Sequence, residues 1–71
     1  MAYEPTPETI RTEIAGLRIE IRPEWLAGHH WWRVFLQGHN KVLLRHREHA
    51  IRVAEILADD EAQLRREQRG R

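Results

Sequence analysis

The stretch Trp31-Trp32-Arg33-Val34-Phe35-Leu36-Gln37, followed by Gly38-His39-Asn40 and Lys41-Val42-Leu43-Leu44-Arg45, reads as a β-hairpin. Its turn is expected at Gly38-His39-Asn40, where the residue types tolerate positive φ. Strand side chains alternate, so Trp32, Val34 and Leu36 point one way while Trp31, Arg33, Phe35 and Gln37 point the other. The first set belongs in a core. The second is basic and aromatic, and serves either as a binding surface or as the floor of a second, smaller core.

Upstream, Leu17-Arg18-Ile19-Glu20-Ile21-Arg22 alternates strictly, which predicts a half-buried strand with Leu17, Ile19 and Ile21 inward. Pro23 is expected to stop it, leaving Glu24 to Gly28 as a loop or single helical turn anchored by Trp25 and Leu26. Before that strand, Thr6 can cap and Pro7 fits a first helical position, with Glu8 and Glu13 complementing the positive end of the dipole. Ile10 and Ile14 stand four apart, and Gly16 can end the element. These signals predict a short N-terminal helix, too short to stand alone, which must dock on the sheet.

Downstream, no Gly or Pro occurs between Arg47 and Gln68. Ala50, Val53, Ala54, Leu57 and Leu64 recur at helical spacing, with Ile51 and Ile56 toward the flanks. The expected fold is α+β: a three-stranded antiparallel sheet, a short N-terminal helix and a long C-terminal helix packed on one face (αβββα). It forms one domain over residues 1–71, with 1–5 and 69–71 as flexible ends. A helix of this length rises about 30 Å, whereas strands of ordinary length span about 20 Å. The segment after Asp59-Asp60-Glu61 is therefore expected to overhang the sheet and to carry Leu64 and Arg65 toward another chain.

Composition narrows the function classes. Twelve Lys and Arg oppose eleven Asp and Glu, so bulk charge gives no pull toward a polyanion. Lys41 is the sole lysine; the remaining cations are arginines, which favour planar bidentate contacts and equally follow from a GC-rich genome. Without cysteine there is neither a disulfide nor a thiolate zinc site. Met1-Ala2-Tyr3-Glu4-Pro5 has no charged start and no apolar run, so no signal peptide is expected and a cytoplasmic location is. No apolar stretch approaches the roughly 20 residues of a membrane span.

The sheet face opposite the long helix is expected to hold Arg18, Glu20, Arg22, Trp31, Arg33, Phe35, Gln37, Lys41, Leu43 and Arg45. Arg18, Arg22, Trp31, Arg33, Phe35, Lys41 and Arg45 are its candidate binding residues, since aromatics stack on bases and cations hold phosphates. Two other occupants fit the same face. Ile10 and Ile14 of the N-terminal helix can lie across Trp31, Phe35 and Leu43, or a partner protein or second copy can cover it.

Helix, three strands and helix in that order is similar in architecture to the double-stranded-RNA-binding domain. That family begins its last helix with lysines that grip phosphates, whereas this helix begins Arg47-Glu48-His49-Ala50. Strands followed by a helix also resemble the sheet-type DNA-binding domains at the start of some phage integrases. There the likeness covers Trp32 to Lys41 and the following helix, roughly half the chain, and neither likeness includes a diagnostic motif. Both imply a nucleic-acid partner, and the second places it on the sheet.

Five histidines (His29, His30, His39, His46 and His49) raise a metal site, yet no spacing matches a metal motif, and solvated loop histidines are the expectation. No metal and no cofactor is expected. Absent serine, cysteine and a glycine-rich phosphate loop, no nucleophile constellation is available, and the chain is expected not to be an enzyme. The sequence thus points to a small non-catalytic binding, adaptor or inhibitor module acting through protein contacts, with self-association. Nucleic-acid binding through the basic, aromatic sheet face is the alternative.

Overall fold

The computed structural model describes residues 8–69. Four strands run in chain order, β1 (Ile10–Ile14), β2 (Leu17–Leu26), β3 (His29–Leu36) and β4 (His39–Leu44), followed by one helix, α1 (Arg47–Arg69). They form a single antiparallel meander, β1-β2-β3-β4. The class is α+β, as the patterning predicts, but the sheet has four strands rather than three and the described residues contain no N-terminal helix. The expected helix-starting residues, Thr6 and Pro7, lie outside the described residues, as do the ends 1–5 and 70–71; Arg69 closes α1.

β1 replaces the expected helix for a physical reason. A spacing of four is also two strand periods, so Ile10, Thr12 and Ile14 share one face of a strand as well as Ile10 and Ile14 share one face of a helix. Partnering decides between them. Ile10 pairs with Ile21 and Ile14 with Leu17 across a two-residue turn, which no isolated helical turn can match.

All three hairpins close through two-residue loops, Ala15-Gly16, Ala27-Gly28 and Gln37-Gly38, with both residues of each loop at positive φ. This is the mirror-image turn whose twist suits antiparallel strands. The third loop is therefore Gln37-Gly38, not Gly38-His39-Asn40; His39 and Asn40 belong to β4.

Pro23 does not end β2, which continues to Leu26. The Gln37 amide donates to the Arg18 carbonyl at 2.9 Å, so Arg18 and Gln37 form a hydrogen-bonded pair of the β2–β3 ladder. Alternation then turns the backbone of residues 19, 21 and 23 toward β1. β1 starts at Ile10, opposite Ile21, so the Pro23 nitrogen faces past its end and no ladder bond is lost. Beyond Pro23 the β2–β3 hairpin projects from the sheet. Trp25 and Leu26, expected as anchors, are exposed there.

One face of the sheet is apolar: Leu17, Ile19, Ile21, Trp32, Val34 and Leu36 are buried, with Ile10, Ile14, Val42 and Leu44 partly so. α1 lies on this face through Ala50, Ala54, Ala58 and Ala62, four apart along the helix. Small side chains let the helix backbone approach the sheet closely, while Ile51 and Leu57 pack at the sides of the seam. After Ala62 every described residue of the helix is exposed, so α1 does overhang, and the molecule extends 60 Å in its longest direction. Among the described residues, no helix is long and apolar enough to cross a membrane.

The open sheet face as candidate functional site

With α1 on one side, alternation along the strands sets the other side. Across β1, β2 and β3 it presents Arg11 opposite Glu20, Glu13 opposite Arg18, Glu20 opposite Phe35, Arg22 opposite Arg33, and Glu24 opposite Trp31. Leu43 of β4 lies opposite Arg33, and Arg45, just past β4, reaches back to Trp31. No described element covers this face.

Of the sequence-derived candidates, Arg18, Arg22, Trp31, Arg33, Phe35 and Arg45 stand together here. Lys41 does not join them. A bulge between Val34 and Phe35 leaves Lys41 as an extra residue of β4, which breaks the alternation that placed it. It borders a separate groove with Leu36, Gln37, His39, Glu61 and Arg65, where the β3–β4 turn meets α1. Arg65 pairs with Glu61 one turn back at 3.3 Å, and Leu64 is half exposed on the overhang. Arg11 is a member of the open face that sequence reading missed, because a helix had been expected around it.

Carboxylates engage three of the arginines. Arg33 donates from Nε and Nη2 to both oxygens of Glu24, at 2.5 and 3.0 Å. Arg22 donates from Nε to Glu20, and Arg11 lies 3.7 Å from the second Glu20 oxygen. The hydrogen bond from Arg22 holds the Glu20 carboxyl below its ordinary value, opposed by desolvation and reinforced by the charges of Arg22 and Arg11. Glu24 is lowered likewise, first by its hydrogen bond from Arg33. The same bond raises Arg33.

A depressed folded pKa stabilises the fold above the unfolded value and ceases to do so as pH falls through the folded one. Glu20 and Glu24 therefore contribute fully above the ordinary value of 4.5 and release that contribution in more acidic solution. Thermal melts between neutral pH and about pH 2 test this against the linkage relation. Glu20→Gln/Glu24→Gln should flatten the acid limb of the melting-temperature profile; an unchanged limb would place the linkage in other carboxylates.

The aromatic rings are covered by cations rather than open. The Arg22 guanidinium carbon sits 4.4 Å from the Phe35 ring centre, and that of Arg45 lies 6.0 Å from Trp31. Trp31 is further tied by its indole N–H to the Leu26 carbonyl at 3.0 Å. Arg45 donates to the His30 carbonyl at 2.6 Å and approaches His29 Nδ1 at 3.0 Å, linking the projecting hairpin to the start of α1. Between the arginines, a depression of about 460 Å³ is lined by Arg11, Arg18, Arg22, Glu20 and Phe35 among others.

Charge separates across the layers. The open face carries five arginines (Arg11, Arg18, Arg22, Arg33 and Arg45) against three glutamates, a net of two positive charges. α1 carries five arginines against six acids, a net of one negative charge. Near-neutrality of the whole chain thus hides a basic sheet face and an acidic helix. Among the described residues, no group of three or more His, Cys, Asp or Glu is placed to hold a metal ion. No protein-family model, curated protein or solved structure matches this chain.

Proposed function

We propose that this chain is a non-catalytic binding module that takes nucleic acid on its open sheet face. The observation that carries the reading is the net positive charge of a bare sheet face, five arginines against three glutamates, with the net-acidic helix turned away. Arginines on a pleated surface reach phosphates and base edges at strand spacing, and local potential rather than net charge attracts the polyanion. The expected N-terminal helix, the competing occupant of this face, is absent from the described residues.

The test is equilibrium binding of a fluorescent duplex and a single-stranded oligonucleotide at two salt concentrations. Two phosphate contacts, the number offered by Arg11 and Arg18, predict about a 12-fold loss of affinity between about 50 and 200 mM salt. Arg18→Ala should lower the salt slope by about one contact's share without changing sequence preference. Absence of salt-dependent binding to either oligonucleotide overturns the reading.

A protein partner or a second copy is favoured by one different observation: Ile56 and Leu64 are each 54% exposed on α1. In that reading the module is an adaptor or inhibitor that associates through its helix. Sedimentation that is concentration-dependent and abolished by Ile56→Glu or Leu64→Glu, with no oligonucleotide binding, would put it first.

A further inference from the structure

We infer that Arg22 is the base-reading residue of the open face, a guanine-selective fork held in place by Glu20 and Phe35; this rests on the nucleic-acid reading. Arg22 sits near the middle of β2, an interior strand, opposite Arg33. Two contacts fix it. Its Nε donates to Glu20, and its guanidinium lies over the Phe35 ring at 4.4 Å. Neither Nη atom makes a hydrogen bond with any described residue, and the side chain is half exposed, so a pair of parallel donors is left unspent.

Two donors on one edge of a planar cation match two acceptors side by side. In a duplex major groove, guanine presents that pair through O6 and N7, whereas adenine presents one acceptor and one donor. Because the ring and the carboxylate already hold the guanidinium, little side-chain freedom remains to be lost on binding.

The other arginines differ. Arg33 spends Nε and Nη2 on Glu24, and Arg45 spends both Nη atoms on His30 and His29. Arg11 is three-quarters exposed, and Arg18 is exposed with no carboxylate partner, which suits them to phosphates. The same cation cover that orients Arg22 takes Phe35 away from base stacking, and Arg45 does so for Trp31. The face therefore suits a duplex groove better than an unpaired strand, which needs open rings.

The experiment uses the full chain and three short duplexes at low salt: alternating G·C, alternating A·T, and the G·C duplex with 7-deazaguanine throughout. Wild type should bind G·C about tenfold more tightly than A·T and lose that preference on 7-deazaguanine. Arg22→Leu should bind G·C and A·T equally while keeping the salt dependence set by Arg11 and Arg18, and Arg11→Lys should keep the preference. An amide spectrum of each variant matching wild type shows that the fold is intact. Equal wild-type affinity for G·C and A·T, or a preference that survives Arg22→Leu, overturns the inference while leaving nucleic-acid binding in place. Tighter binding to single strands, with the Trp31 indole signal shifting, overturns it in favour of stacking. No binding to any duplex or single strand overturns the nucleic-acid reading itself, and Arg22 as a base reader with it.

Discussion

Ile21→Ala is expected to remove about 2–5 kcal/mol of stability, the range for emptying a buried aliphatic site. Ile21 is 1% exposed and stands between Ile10 of β1 and Val34 of β3, on the face that α1 covers. Both neighbours are held in strand registers, and the alanines above cannot grow to fill the gap. A domain of this length has only about 4–10 kcal/mol to lose, so the variant should give up a large fraction of its stability. Urea unfolding followed by circular dichroism measures it. Ile56→Ala is the control: that side chain is 54% exposed, and its removal should change stability by less than about 0.5 kcal/mol. Equal losses in the two variants would mean that the helix seats on the sheet through a different stripe.

The second large effect is a gain. Ala15, Ala27 and Gln37 hold φ values of 53°, 51° and 52°, a left-handed conformation that disfavours ordinary side chains by roughly 1–2 kcal/mol. Each occupies the first position of a two-residue hairpin turn, where asparagine is the preferred residue before glycine. Ala15→Asn, Ala27→Asn and Gln37→Asn should each recover part of the strain. The three turns are separate, so their gains should add to about 2 kcal/mol, which for a domain of this size raises the melting temperature by about 8–16 °C. Calorimetric scans of the single and triple variants check both the size and the additivity. Gln37→Asn should gain least, because the Gln37 side-chain oxygen accepts the Arg18 amide at 2.9 Å and a shorter side chain gives that bond up. A triple variant that melts at the wild-type temperature would show that the strand pairing absorbs the turn strain.

Much of the open face was legible because period-2 alternation is a local property. Arg18, Arg22, Arg33 and Phe35 lie where counting residues along β2 and β3 puts them. Counting failed at Lys41, where a bulge adds a residue, since a bulge depends on how two strands meet and not on either one alone. It failed again at Arg11, because a spacing of four suits helix and strand alike. The Ala-Gly and Gln-Gly turns were equally hard to see, as they lack the asparagine or aspartate that usually announces them. The placement of Glu20 on Arg22 and of Glu24 on Arg33, which decides which guanidinium edges stay free, needed cross-strand geometry.

By itself, the sequence determined the α+β class, the inward sets Leu17-Ile19-Ile21 and Trp32-Val34-Leu36, and the helix from Arg47 onward, since each is written in side-chain periodicity over neighbouring residues. Only the tertiary structure decided that residues 10–14 form a fourth strand, that Pro23 is tolerated inside β2, and that Arg22 is held by both a ring and a carboxylate with its Nη atoms unspent. Those outcomes depend on what lies across the ladder: a partner strand for Ile10, no partner beside Pro23, a ring and a carboxylate beside Arg22. A hydrogen-bonded neighbour brought in by a turn is not encoded at the residue it stabilises.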